Sequence, residues 1–177
     1  MACLDHRHSR VSPRGNFLQK EGLLASSTLL GAAVAGLAST VFMTLFEFPF
    51  WKKSGMNGVA EWQTNWLIIS RLTGGTSNRI QKPRISWTIT LHLGHGAAAG
   101  IVFGLLLPFL KMLPAGSFSV LLDAVVYSVV LWVIFMLAPR RALESAGGTR
   151  ISGRSLSIAL GSHFVYGIFL GLLVPLA

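Results

Sequence analysis

The stretch LGHGAAAGIVFGLLLP at residues 93–108 carries the strongest structural signal in this chain, because it returns as LGSHFVYGIFLGLLVP at residues 160–175. Both copies place glycines at matching positions and end in a leucine-rich run and a proline, at an offset of 67 residues (160 − 93). With its flanks, each copy reaches the roughly 20 mainly apolar residues that a helix needs to cross a bilayer. The sequence therefore predicts a membrane protein with an internal repeat.

The composition agrees with this class. Hydrophobic residues make up 52% of the 177 residues and charged residues only 12%, whereas soluble domains carry about 25% charged residues. Four stretches are long and apolar enough to span a bilayer: residues 24–50, 85–110, 118–137 and 156–177. We predict an all-α, polytopic bundle of four transmembrane helices. The single cysteine, Cys3, excludes an internal disulfide scaffold.

The repeat extends into the loops, since GGT at 74–76 is echoed at 147–149 and RIS at 84–86 is echoed at 150–152. We therefore divide the chain into a polar basic tail (1–22), a first helical hairpin (23–114) and a second hairpin (115–177). An even number of helices separates the two copies, so the hairpins form tandem parallel repeats.

The first loop contains a helical pattern at about residues 58–73. One face of this helix carries Val59, Trp62, Trp66 and Ile69. Tryptophans next to basic residues are typical of an amphipathic helix in the headgroup region, and we predict such an interfacial helix here. A loop helix that caps the bundle is an equally open alternative.

Basic residues are distributed unevenly over the loops. The first and third loops hold ten Lys and Arg (6 + 4), whereas the tail and the second loop hold five (4 + 1). The positive-inside rule places the basic loops in the cytoplasm and both termini outside, in a prokaryotic cytoplasmic membrane. We expect these loops to contact anionic lipid and not nucleic acid.

Small residues recur at intervals of four along several predicted helices, a spacing that lets helix backbones approach closely in lipid. We expect the second span to pack against the fourth through these stripes. The glycines predicted to pack helices are Gly36, Gly96, Gly100, Gly104, Gly167 and Gly171.

Four ionisable residues lie within predicted spans: Glu47, His92, His95 and His163. At about 1.5 Å per residue they all fall in the membrane half next to the basic loops. Polar groups at this depth are costly and usually face the bundle interior, so the four form a candidate ion, proton or ligand site. Hydrogen bonding of the histidines to neighbouring backbone or hydroxyl groups is the purely structural alternative. A metal ion held by the three histidines, or haem b between two of them, are further alternatives.

Two segments suggest a family. AGLAST at 35–40 and Met43-Thr44, within residues 31–51, together with HFVYG at 163–167, resemble parts of small uncharacterised four-helix membrane proteins of the YagU-like kind. The resemblance covers two helices and implies a four-helix membrane architecture. It implies no catalytic residue and no function.

The sequence contains no Gly-x-Ser-x-Gly, phosphate-loop, Cys-x-x-Cys or His-Glu-x-x-His signature, and it requires no cofactor. We therefore expect a non-catalytic accessory or scaffold subunit that packs through its glycine-striped helices, by self-association or with other membrane subunits in a larger complex. The alternative is a small proton- or cation-coupled transporter or channel that uses the intramembrane Glu and His residues. A bis-histidine haem b protein is the third hypothesis.

Overall fold

The computed structural model describes residues 13–72, 85–110, 118–147 and 150–174, which form helices and turns without any strand. The helices are α1 (Pro13–Ser54), α2 (Ala60–Leu72), α3 (Ile85–Leu110), α4 (Phe118–Trp132), α5 (Arg140–Gly147) and α6 (Gly153–Leu173). A 3₁₀ turn (Gly55–Gly58) joins α1 to α2, and a π-helical turn (Val133–Leu137) extends α4. The all-α prediction is confirmed for this part of the chain.

Four segments are long and apolar enough to cross a membrane, as predicted. They are Thr28–Ser54, Ile85–Leu110, Val120–Ser145 and Gly153–Leu173. Large apolar side chains on their outer faces are exposed, for example Leu30 (68%) and Phe109 (69%). A continuous apolar exterior of this kind is typical of a surface in contact with another apolar phase.

The first helix begins earlier in the chain than the predicted first span. Helix α1 begins at Pro13, so it continues into the segment predicted as a tail. The rest of that tail (residues 1–12), and the loop motifs at 74–76 and 148–149, lie outside the described residues.

Helix α1 packs against both α3 and α6, α6 also packs against α4, and a lighter contact between α3 and α4 completes the bundle. The apolar core lies between these four helices and includes Met43, Phe103, Leu107, Ala124 and Leu170. Two tyrosines on the second hairpin tie it to α3. The Tyr127 hydroxyl donates to the Ala99 carbonyl (2.8 Å) and the Tyr166 hydroxyl donates to the Gly96 carbonyl (2.9 Å).

The glycine stripes lie where the backbones of two helices come close together. A Cβ atom on Gly100 would lie 2.8 Å from the Cα of Gly36 on α1, and a Cβ on Gly167 would lie 2.7 Å from the Cα of Val125 on α4. Each stripe therefore packs on the first helix of its own hairpin, and not on the other stripe as expected. The spacing marks a face that admits a close neighbour, but it does not identify that neighbour.

Helix α2 is enclosed by protein, since it contacts α3, α5 and α6. Every residue from 58 to 70 is buried, except that Trp66 and Ile68 are half-buried. Trp62 and Ile69, on the face expected to meet lipid headgroups, are both buried. This burial favours the alternative of a loop helix packed against the bundle.

Candidate metal centre

The close approach of α1 and α3 brings two ionisable side chains together. On α1, Glu47 lies eleven residues (47 − 36), about three turns, beyond Gly36 and so on the same face. On α3, His92 lies one turn before Gly96 on the face that packs against α1. The residues that allow this close packing therefore also direct the Glu47 carboxylate towards the His92 imidazole.

Two further helices complete a buried cluster. Helix α2 contributes Glu61 from its first turn, and α6 contributes His163. The exposed fractions are 0% for Glu47, 4% for Glu61, 6% for His92 and 8% for His163. Four separate helices thus place two carboxylates and two imidazoles in the interior.

His92 lies between the two carboxylates. Its Nε2 is 3.8 Å from Oε2 of Glu47, and its Nδ1 is 3.8 Å from Oε2 of Glu61. One ligand atom from each of these three residues lies within 4.8 Å of the other two. This triad of Glu47, Glu61 and His92 is called the metal triad below.

His163 holds the other side of Glu61. Its Nδ1 is 2.7 Å from Oε1 of Glu61 and 2.8 Å from the Ala159 carbonyl oxygen. Because the carbonyl can only accept, Nδ1 carries the hydrogen and donates it to Ala159, while the contact with Oε1 of Glu61 is a charge contact. This contact fixes one oxygen of Glu61 and turns the other towards His92.

Trp62 and Asn65 contact the other two members of the triad, Glu47 and His92. The Trp62 indole N–H donates to Oε2 of Glu47 (2.7 Å), and the Trp62 ring lies 5.9 Å from the His92 ring. The Asn65 amide lies 3.4 Å from Nδ1 of His92. Because an amide can present either its oxygen or its nitrogen, Asn65 can support either neutral tautomer of the imidazole.

Four buried atoms of the triad have no hydrogen-bond partner among the described residues: Oε1 of Glu47, Oε1 and Oε2 of Glu61, and Nε2 of His92. Uncompensated buried polar atoms cost free energy, and all four of these atoms are potential metal ligands. Ligand atoms bound tetrahedrally to one ion at about 2.0–2.1 Å lie about 3.3 Å apart. The 3.8 Å between Oε2 of Glu47 and Nε2 of His92 is longer than this by about 0.5 Å, and one ligand atom from each of the three residues lies within 4.8 Å of the other two, so the three side chains would have to close around an ion.

The electrostatics of Glu61 favour a charged ligand. Burial raises the pKa of the Glu61 carboxyl, but the neighbouring imidazoles of His163 and His92 together lower it by more, so the pKa lies below its ordinary value. The imidazole of His163, at 2.7 Å from Oε1 of Glu61, supplies positive charge beside this carboxylate, since unpaired charge is costly in a protein interior.

The structure brings together three of the four residues predicted from the sequence: Glu47, His92 and His163. It places His95 on an exposed face of α3, outside the cluster. Sequence reasoning missed Glu61, because the loop helix was expected to face lipid headgroups. The sequence signal that could have identified Glu61 is its short separation from Glu47 along the chain. The turn after α1 folds α2 back, and this brings residue 61 within reach of residue 47.

The carboxylate of Glu61 lies between the two histidines predicted as haem ligands, at 3.8 Å from Nδ1 of His92 and 2.7 Å from Nδ1 of His163. Comparisons with protein-family models, with curated proteins and with solved structures give no match. The function is therefore inferred from the geometry of the site alone.

Proposed function

We propose that this chain is an integral membrane protein that binds one divalent transition-metal ion through Glu47, Glu61 and His92. The observation that carries the proposal is the buried metal triad, in which each of the three side chains has at least one atom without a hydrogen-bond partner. His163 and Trp62 act as positioning residues, because each holds a carboxylate of the triad from outside.

The ligand types indicate the class of ion. Imidazole nitrogen with carboxylate oxygen suits zinc, manganese or iron(II), whereas calcium and magnesium prefer oxygen ligands alone. Two carboxylates also neutralise a divalent charge, which favours binding in a buried site of low dielectric constant. His163 behind Glu61 matches the outer hydrogen bonds that commonly orient metal ligands.

Isothermal titration calorimetry of the purified full chain with zinc or manganese tests the proposal. We expect one ion per chain. Glu47→Gln, Glu61→Gln and His92→Gln each remove a ligand, so each should weaken binding by more than about 100-fold, beyond the 10- to 100-fold effect typical of outer-shell losses.

His95→Gln is the matched control, because it removes an imidazole from the same helix at a position outside the triad. It should bind metal as the wild type does. Absence of binding by the folded wild type, or equal binding by the His92 and His95 variants, would show that the triad is not a metal site.

Cation transport is the second candidate, and the position of α2 favours it. Glu61 lies on a helix that does not span, in the loop between two candidate spans, so displacement of α2 would open the site towards the basic-loop side. Metal-dependent flux into liposomes should then disappear in Glu47→Gln. Unchanged flux in that variant would remove the transport hypothesis.

The finer features of the architecture are part of the same proposal. We place the basic loops, and with them the metal triad, on the cytoplasmic side of a prokaryotic membrane, with the hairpins as two tandem repeats. The accessory-subunit hypothesis stays a prediction. The glycine stripes give this hypothesis little support, because their glycines already pack against other helices of the same chain.

A further inference from the structure

A cavity lies apart from the metal triad, where the third candidate span ends and the fourth begins. It has a volume of about 490 Å³. The side chains that line it are Arg140, Arg141, Glu144, Arg150, Ile151 and Ser152. Three arginines against one glutamate make this a positively charged recess at the end of the bundle.

One arginine builds the wall of the cavity. Arg140 donates from Nε to Glu144 (3.1 Å) and from its terminal NH₂ group to the Ile151 carbonyl (2.7 Å). The Ile151 N–H in turn donates to the same Glu144 oxygen (2.9 Å), and the Ile151 side chain is buried. This network joins α5 to the start of α6, and it pairs the negative charge of Glu144 with Arg140.

Two further arginines, Arg141 and Arg150, line the cavity and are exposed. Ser152 caps α6, with its hydroxyl accepting from the Ser155 N–H (3.0 Å). The positive end of the α6 dipole therefore points to the same recess as the two guanidinium groups, and both features favour an anion.

The chain segment that leads into Arg140 is apolar. Its π-helical turn exposes Ile134 (54%) and Phe135 (58%) within the third candidate span. A free anion gains no favourable contact from an apolar surface, whereas the acyl chain of a lipid packs against it. We propose that this recess, the arginine cavity, binds the phosphate of an anionic glycerophospholipid through Arg141 and Arg150.

Arginine suits this role because its planar guanidinium group binds phosphate oxygens in pairs. The site is distinct from the metal triad, since none of its lining residues belongs to that cluster. The proposal therefore does not depend on metal binding.

Native mass spectrometry of the full chain, extracted from nanodiscs of equal phosphatidylglycerol and phosphatidylcholine, tests this site. The wild type should retain one phosphatidylglycerol in preference to phosphatidylcholine. The double variant Arg141→Gln with Arg150→Gln should retain it about 30-fold less, as expected for two cations near the membrane surface.

Lys52→Gln with Lys53→Gln is the matched control, because it removes two exposed cations at the end of α1, away from the cavity. It should keep the bound lipid. The single variant Arg150→Gln should give an intermediate loss of bound lipid. It keeps the proposal testable if the double variant misfolds.

Three results would overturn the proposal. The first is equal retention of phosphatidylcholine, and the second is equal lipid loss in the lysine control. The third is displacement of the lipid by millimolar inorganic phosphate, which would make free phosphate the ligand.

Discussion

Replacing Gly100 by alanine should loosen the bundle and the metal triad together. The new Cβ would lie 2.8 Å from the Cα and 3.0 Å from the N of Gly36, and closer still to the Ala32 carbonyl oxygen. Carbon atoms pack optimally at about 3.5–4.0 Å, so α1 and α3 must separate by about 0.7 Å or more. All three contacts are with backbone, so no side-chain rotation can relieve them.

The expected cost follows from two opposing effects. Overpacking costs about 1–3 kcal/mol, whereas replacing glycine by alanine inside a helix contributes up to about 1 kcal/mol. The net destabilisation of about 1–2 kcal/mol corresponds to about 5- to 30-fold in the unfolding equilibrium. Because Glu47 and His92 lie on the same two faces, zinc affinity should fall by about 10-fold, at the lower end of outer-shell effects.

Steric trapping in bicelles measures the unfolding equilibrium, and calorimetry measures zinc affinity. Gly94→Ala is the control on the same helix, since an added Cβ there has no neighbouring atom within 4 Å. It should leave both quantities unchanged or raise the stability slightly. If Gly100→Ala were as stable as Gly94→Ala and bound zinc as tightly, the close approach of α1 and α3 would not position the triad.

Three other predictions concern single contacts. Trp62→Phe removes the hydrogen bond to Glu47 and should weaken zinc binding by about 10- to 100-fold in calorimetry, with the ligands still present. His163→Gln should have an effect of the same order through Glu61, and wild-type affinity in this variant would exclude a positioning role. Ser152→Ala removes the α6 cap and should destabilise the protein by about 0.5–2 kcal/mol in steric trapping, whereas an unchanged unfolding equilibrium would show that the cap contributes nothing.

Much of the fold follows from hydrophobicity and length. The span at Ile85–Leu110 has the predicted boundaries, because its apolar run ends sharply on both sides. Helix α1 begins at Pro13, before the predicted span at 24–50, and its first turns consist of polar residues that a hydrophobicity argument assigns to a tail. The partner of each glycine stripe was also beyond sequence reasoning, because the same small face fits any close helix.

The candidate site was predictable to the extent that it lies in the spans. Glu47, His92 and His163 stood out because ionisable groups are rare in hydrocarbon. Glu61 did not stand out, since a glutamate in a polar loop is ordinary until α2 is known to be buried. Equal depth also made His95 a candidate, but only the folded structure shows that its side chain is exposed and lies outside the triad.

X-ray absorption at the zinc edge, recorded on the zinc-loaded full chain, is the most direct test of the metal triad. We predict imidazole scattering from a single histidine together with carboxylate oxygens, at about 2.0–2.1 Å from the ion. The imidazole signal should vanish in His92→Gln and persist in His95→Gln. A zinc spectrum without imidazole, or one that loses it only in His95→Gln, would contradict a metal centre formed by Glu47, Glu61 and His92.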